Sequence, residues 1–99
     1  MIEWTEQAAQ QLDQAYDFLA LAGDDTIAAR VTEKVIASIE RLASFPLSGR
    51  RGRLPGTREL VIPGTPFIVA YTIRKTDVVI PAVYHRAQRW PDQFSDFGG

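Results

Sequence analysis

The amino-acid sequence predicts a small α+β domain in which a helical hairpin packs on an antiparallel sheet, in the order β-α-α-β-β-β. Apolar residues recur at helical spacing from residue 8 to residue 42. From residue 58 onward, short apolar segments alternate with polar residues and are separated by turn signals. Neither helix can bury its apolar stripe on the other alone, so both are expected to rest on the sheet. A chain of 99 residues has room for one core, and residues 1–99 are therefore interpreted as a single domain.

A short strand and a first helix are predicted at the start of the chain. Residues 2–5 alternate apolar and polar side chains, as a half-buried strand does. The Thr5 hydroxyl can accept a free N–H of the first helical turn, and the acidic Glu6 suits a helix start. Gly23 is the stop signal. The apolar stripe of this helix consists of Ala8, Leu12, Ala15, Tyr16 and Leu19.

A second helix follows after a short turn. Asp24, Asp25 and Thr26 are three candidates for its N-terminal cap, and the helix is expected to end at Phe45-Pro46. The turn is short enough to make the two helices antiparallel. The apolar stripe of the second helix consists of Ala28, Val31, Val35, Ile39 and Leu42.

Three strands are predicted in the second half, over residues 58–62, 67–74 and 78–86. Breakers in residues 63–66 and a tight connection at residues 74–77 separate them. Pro81 falls inside the last strand and cannot donate a ladder hydrogen bond, so an edge position or a bulge is expected there. Because the C-terminal tail carries Phe94 and Phe97, we expect the tail to pack against a surface. One face of the middle strand carries Phe67, Val69, Tyr71 and Ile73.

Charge is divided unevenly between the halves, although the net charge is only -1. Residues 1–49 contain three bases and eight acids, and residues 50–99 contain eight bases and four acids. The halves therefore carry −5 and +4. Such a division suggests an acidic or polyanionic partner for the second half, while chance segregation of surface charge is the alternative.

Several functions are excluded or disfavoured by what the sequence lacks. There is no cysteine, so neither a disulfide nor a thiolate metal site can form. The single histidine has no companions at metal-ligand spacing, and no phosphate-binding P-loop, GxSxG or HExxH motif occurs. No cofactor or metal is therefore expected. With no long apolar run and no basic-then-apolar N-terminus, the expected location is the cytoplasm, without membrane contact.

Arginines are concentrated in residues 49–60, which read GRRGRLPGTREL. Arg50, Arg51, Arg53 and Arg58 lie there among glycines that let the backbone turn and approach a partner. Paired N–H groups suit arginine to carboxylate and phosphate. The alternative is a solvated, flexible loop whose arginines pair with nothing. That alternative is weaker for Arg58, because Arg58 begins a strand and has a fixed direction.

A second cluster ends the last strand and brings together Tyr84, His85, Arg86, Arg89 and Trp90. Cleavage of RNA through its own 2′-hydroxyl needs a base, an acid and cations. Those residue types are supplied by Arg58, Tyr84, His85 and Arg86. However, Tyr84 and His85 are neighbours on a strand and point to opposite faces unless the strand bends. As structural alternatives, His85 bonds to the backbone, and Tyr84 and Trp90 pack in the core or against the tail. Glu59 is a possible base or an ion-pair partner of an arginine.

Taken together, these residues resemble the ParE branch of the ParE/RelE superfamily, the toxins of bacterial type II toxin–antitoxin modules. The resemblance covers nearly the whole chain, from Trp4 in the first strand and Phe45-Pro46 after the hairpin to three later segments. Those segments are residues 56–62 (GTRELVI), 67–71 (FIVAY) and 83–87 (VYHRA), before Trp90-Pro91. Residues 46–62 contain no lysine, which favours ParE over RelE-like nucleases. Pro81 and the GRRGR run depart from the commonest pattern of either branch.

This resemblance implies a plasmid-stabilising or growth-arresting toxin that inhibits DNA gyrase and catalyses no reaction. It also implies a cognate antitoxin that winds an acidic segment over the toxin in a hetero-oligomer. The alternatives are a RelE-like, ribosome-dependent mRNA endoribonuclease, which His85 with Arg58 and Arg86 would suit, and an inactive member that only pairs with an antitoxin. The antitoxin- or target-binding residues implied are Arg50, Arg51, Arg53, Arg58, Arg86, Arg89 and Trp90.

Overall fold

The computed structural model describes residues 1–85. The predictions made for Arg86, Arg89, Trp90 and the tail with Phe94 and Phe97 lie outside the described residues. No helix within residues 1–85 is both long enough and apolar enough to cross a membrane. The elements are β1 (Ile2–Trp4), α1 (Glu6–Ala22), α2 (Asp25–Glu40), a 3-10 turn (Arg41–Ala43), β2 (Arg50–Arg51), β3 (Arg58–Val61), β4 (Phe67–Arg74) and β5 (Asp77–His85).

The strands form one sheet in the order β1-β5-β4-β3-β2. Pairing is antiparallel from β2 through β5, whereas β1 runs parallel to β5. The predicted α+β fold with a helical hairpin on a sheet is confirmed. The strand β2 is an addition that the sequence did not predict, and the parallel β1 makes the sheet mixed.

Thr5 caps α1 and also ties it to the sheet. Its Oγ1 accepts the Ala8 N–H at 3.1 Å and donates to the Ile80 and Pro81 carbonyls at 3.0 and 3.2 Å. At α2, Asp24 is the cap among the three candidates, because its Oδ1 accepts the Ile27 N–H at 3.1 Å. Local capping chemistry therefore sets the starts of both helices.

The main core lies between the helices and one face of the sheet. The predicted apolar face of β4 contributes to it, with Val69 and Tyr71 fully buried and Ile73 packed against its edge. A smaller cluster occupies the opposite face and consists of Ile68, Ala70, Ala82 and Tyr84, with Leu54 and Val61 against it.

Pro81 lies at an irregularity of β5 and not at the edge of the sheet. The strand pairs with β1 on one side and β4 on the other. Ala70 faces Ala82 and Thr72 faces Val79, so Ile80 and Pro81 together oppose Tyr71. The bulge alternative for Pro81 is thus confirmed, since the extra residue accommodates the missing N–H.

Candidate functional site

The arginine-rich segment forms the outer edge of the sheet, where the sequence suggested a loop. In the β2–β3 ladder Arg50 faces Glu59, and Arg51 faces Arg58. Successive side chains of a strand point to opposite faces, so the cluster divides into two groups. Arg50 and Glu59 lie on one face of the sheet edge, and Arg51 and Arg58 lie on the other.

Buried Tyr71 fixes the chain as it enters β2. Its hydroxyl accepts the Gly49 N–H at 2.9 Å and donates to the Pro46 carbonyl at 2.7 Å. Arg58 Nη1 donates to the Gly49 carbonyl at 2.7 Å. A Cβ on Gly49 would lie 2.5 Å from the Tyr71 hydroxyl oxygen, so no larger residue fits there without a shift. Both polar groups of Gly49 are therefore used to hold the edge in place.

A turn with its own hydrogen bonds connects β2 to β3. The Gly52 N–H donates to the Thr57 carbonyl at 2.8 Å, and Thr57 Oγ1 donates to the Leu54 carbonyl at 2.6 Å. Gly56 has a φ of 78°, a conformation that favours glycine. These bonds give residues 52–57 a defined shape.

Glu59 binds the first group of arginines. Only 2% of its side chain is exposed, and its Oε1 lies 3.2 Å from Arg50 Nη2. Its Oε2 accepts the Arg53 backbone N–H at 3.1 Å and lies 4.0 Å from Arg53 Nε. The unpaired-loop alternative is therefore wrong for Arg50 and Arg53, because a buried carboxylate needs charge and hydrogen-bond partners. Glu59 is the ion-pair partner that the sequence suggested.

The second group lines a cleft on the other face. Arg51 is exposed and Arg58 is half-buried. Within residues 1–85 neither arginine takes part in an ion pair, and Arg51 makes no side-chain hydrogen bond. The cleft has a volume of ≈ 430 Å³, and its described lining residues are Arg51, Gly52, Leu54, Pro55, Gly56, Thr57, Arg58 and Ile73.

The two residues proposed for acid–base chemistry lie on opposite faces of β5, as strand geometry predicted. Tyr84 belongs to the small apolar cluster, whereas the His85 ring packs edge-on against Phe67 with centroids 5.6 Å apart. Burial, and secondarily the charge of Glu59, raises the pKa of the Tyr84 phenol, while Arg53 and Arg50 oppose that rise. The phenol therefore loses its proton less readily than an ordinary tyrosine, so less of the phenolate is present to act as a base.

Arg58 and His85 lie far apart on the sheet. On β3, Arg58 faces Tyr71 of β4. On β5, the strand at the other side of β4, His85 faces Phe67, which lies four positions before Tyr71. Four residues span roughly 13 Å along a strand and two strand spacings about 10 Å, so the Cα atoms are separated by roughly 16 Å. The described residues therefore do not assemble Arg58, Tyr84 and His85 around one phosphate, and Arg86 lies outside them.

Sequence reasoning missed the roles of Tyr71 and Gly49. Tyr71 was assigned only to the apolar face of β4, and its hydroxyl bonds to a segment 22 residues earlier in the chain. A tyrosine at a fully buried strand position signals a polar partner for its hydroxyl, although it does not say which one.

Comparison with solved structures identifies the fold. It matches the chromosomal ParDE toxin–antitoxin system of P. aeruginosa with a TM-score of 0.78 and 22% identity, over 85% of this chain and 92% of that chain. It also matches the intact RelBE toxin–antitoxin complex of E. coli with a TM-score of 0.58 and 12% identity, over 90% of this chain and 98% of that chain. At these identities the likeness shows the fold alone, which is that of RelE/ParE-like toxins.

The family follows from sequence comparison. The family model for the ParE toxin of type II toxin–antitoxin systems (parDE) matches residues 2–90. The Sinorhizobium fredii protein named "Putative toxin Y4kP" is 40% identical over 90 residues, which are 91% of this chain and 92% of that protein. The chain belongs to the ParE toxin family, and the resemblance drawn from its sequence is confirmed.

Proposed function

We propose that this toxin acts by binding DNA gyrase in the cytoplasm and is neutralised by a cognate antitoxin that covers the arginine-bearing edge of the sheet. The observation that carries the proposal is the cleft of Arg51 and Arg58, two cations without ion-pair partners in residues 1–85. Such a surface is suited to an acidic partner. The proposed contact residues are Arg50, Arg51, Arg53 and Arg58, with Arg86, Arg89 and Trp90 beyond the described part of the chain.

Binding is favoured over RNA cleavage by the placement of the acid–base residues. Cleavage needs a base, an acid and a cation close to one phosphate. Tyr84 and His85 face opposite sides of β5, and Arg58 is anchored to the Gly49 carbonyl at a distant edge. These positions support a toxin whose site is a binding surface, as the gyrase hypothesis requires.

An antitoxin partner is supported by the solved relatives and by charge. The E. coli relative was solved as an intact RelBE toxin–antitoxin complex, and the P. aeruginosa structure is of a ParDE system. The excess positive charge of residues 50–99 complements an acidic antitoxin segment. A hetero-oligomeric toxin–antitoxin complex is the expected resting form.

The test is controlled expression of the toxin alone in bacteria, with DNA replication and messenger RNA integrity followed together. Replication should stop while messenger RNA stays intact, and the purified protein should inhibit gyrase supercoiling. Arg51→Ala should weaken both effects, because it removes an exposed cation of the cleft. Arg30→Ala is the matched control, since Arg30 is an exposed arginine on α2, away from the sheet edge.

Other results would redirect the assignment. Messenger RNA cut at codon boundaries within minutes, with that cleavage lost in His85→Ala, would replace the gyrase proposal with the endoribonuclease alternative. Normal growth without the antitoxin, from a protein that is folded by circular dichroism, would indicate a member that only pairs with its antitoxin.

A further inference from the structure

Arg51 and Arg58 place two like charges directly opposite each other. Gly52 bonds to Thr57 through the backbone, so ladder alternation makes Arg51–Arg58 a non-hydrogen-bonded pair. Side chains approach most closely in such pairs, with Cβ atoms roughly 4.5 Å apart, and like charges there are destabilising. A bound anion between the guanidinium groups would remove this repulsion.

No carboxylate of the described chain supplies that anion. Glu59 is the nearest in sequence, but it points to the opposite face, where Arg50 and Arg53 surround it. Neither Arg51 nor Arg58 forms an ion pair within residues 1–85, and the described lining of the cleft contains no acidic residue. Residues 1–85 therefore do not supply the anion that fits this site.

The walls of the cleft indicate what accompanies the anion. Leu54, Pro55 and Ile73 line it beside the two arginines. These side chains suit an apolar neighbour, whereas no aromatic ring among the described lining residues offers a nucleobase a surface for stacking. The lining favours a peptide over a nucleic acid.

We infer that the Arg51–Arg58 cleft is a carboxylate-binding site for a partner polypeptide, in which a glutamate or aspartate side chain lies between the two guanidinium groups and an adjacent apolar side chain contacts Leu54, Pro55 and Ile73. The inference rests on the proposed function only in taking the antitoxin as the source of the peptide. Carboxylate recognition itself follows from the paired, planar donors of arginine.

Arg58 and the turn of residues 52–57 are organised before the ligand arrives, whereas the Arg51 side chain makes no hydrogen bond within residues 1–85. The bond from Arg58 Nη1 to the Gly49 carbonyl directs the guanidinium, and the Gly52–Thr57 bond fixes the turn that forms one wall. Parts of a site that are already ordered in the free protein lose no conformational entropy on binding, so they do not reduce the affinity. Short peptides should therefore bind measurably without the rest of the partner.

The test is a titration of the purified, full-length protein followed by NMR at the backbone amides of Gly52, Gly56 and Thr57. The probe is a blocked pentapeptide alternating leucine and glutamate, and its control has glutamine in place of glutamate. The glutamate peptide should shift these amides in a saturable way, and the glutamine peptide should bind at least about fivefold more weakly.

Two charge-removing variants separate this site from general charge attraction. Arg51→Ala should weaken binding of the glutamate peptide about fivefold or more, whereas Arg30→Ala should change it less than about twofold. Both variants remove one positive charge from an exposed position, but Arg30 lies on α2 and does not line the cleft. Equal losses in the two variants would overturn the inference, and so would equal binding of the two peptides.

Competition experiments distinguish a peptide ligand from a nucleic acid. A single-stranded oligonucleotide or inorganic phosphate is added to the peptide-bound protein as a competitor. Displacement of half of the peptide at a competitor concentration below the peptide's dissociation constant would replace the peptide assignment with a nucleic-acid one. Unchanged dispersion of the remaining amide signals shows that each variant is folded. Because the titration measures no toxicity, its failure leaves the gyrase proposal standing, and a failed gyrase assay leaves the cleft inference standing.

Discussion

Replacing Tyr71 with phenylalanine should destabilise the sheet edge that carries the arginines. The Tyr71 side chain is fully buried, and its hydroxyl bonds to the Gly49 N–H and the Pro46 carbonyl. Phenylalanine keeps the ring and its packing but leaves the buried Gly49 N–H without a partner. The half-buried Pro46 carbonyl can turn to water, so most of the penalty arises at Gly49.

The expected loss is about 2 kcal/mol, since an unsatisfied buried donor costs about 1–3 kcal/mol. For a chain of this size each kcal/mol corresponds to about 4–8 °C, so the midpoint of thermal unfolding should fall by roughly 8–16 °C. Urea denaturation followed by tryptophan fluorescence measures the free energy of unfolding. The slope of free energy against urea should be unchanged, because the same surface becomes exposed on unfolding.

A matched control and a local probe decide whether this reasoning holds. Tyr16→Phe removes a hydroxyl from a half-buried tyrosine of α1 that makes no hydrogen bond within residues 1–85, so the stability should be unchanged. The Gly49 amide should exchange its hydrogen faster in Tyr71→Phe than in the native protein. Equal unfolding free energies for Tyr71→Phe and Tyr16→Phe would refute the anchoring role of the hydroxyl.

Three further outcomes follow from the same structure. Gly49→Ala should lower the free energy of unfolding by about 1–3 kcal/mol, because its Cβ would lie 2.5 Å from the Tyr71 hydroxyl and 2.8 Å from the Glu59 carbonyl; an unchanged urea midpoint would contradict this. Thr5→Val should cost about 1–2 kcal/mol by removing the cap of α1, and Thr5→Ser should restore most of it in the same assay. Burial raises the pKa of Tyr84 above its ordinary 10.0, so above about pH 10 the unfolded chain releases a proton that the folded chain keeps. Stability should therefore fall as the pH rises through that range, and Tyr84→Phe should show a shallower fall in urea unfolding measured at each pH.

The elements that the sequence predicted well are those with local signals. The strand β4 was predicted at its observed bounds, Phe67–Arg74, because its alternation is long and turn residues flank it. Thr5 was predicted as the cap of α1, and Asp24 was one of three candidates for the cap of α2, because such side chains bond within three residues of themselves. In each case the information that decides the structure lies within one turn or one strand.

The strand β2 was missed because the side chains that hold it in place are distant in the sequence. Two residues between glycines have no readable periodicity. The segment is held by the Tyr71 hydroxyl, 22 residues away, and by the Glu59 carboxylate, 9 residues from Arg50. The division of the arginines between two faces depends on that pairing, so the sequence located the basic cluster but could not say which arginines are neutralised.

Glu59 is a buried acid within the basic edge, and its carboxylate has two opposing effects on partner binding. A carboxylate between Arg50 and Arg53 reduces the local positive charge, which by itself would weaken attraction to an acidic partner. The same carboxylate accepts the Arg53 N–H and so fixes the chain beside Arg51 and Gly52, which line the cleft. Attraction at a distance is screened by salt, whereas contact between paired donors and a carboxylate depends on position. Glu59 thus lowers the long-range charge of the edge and leaves Arg51 and Arg58, which form no ion pair within residues 1–85, as the proposed contact for a carboxylate.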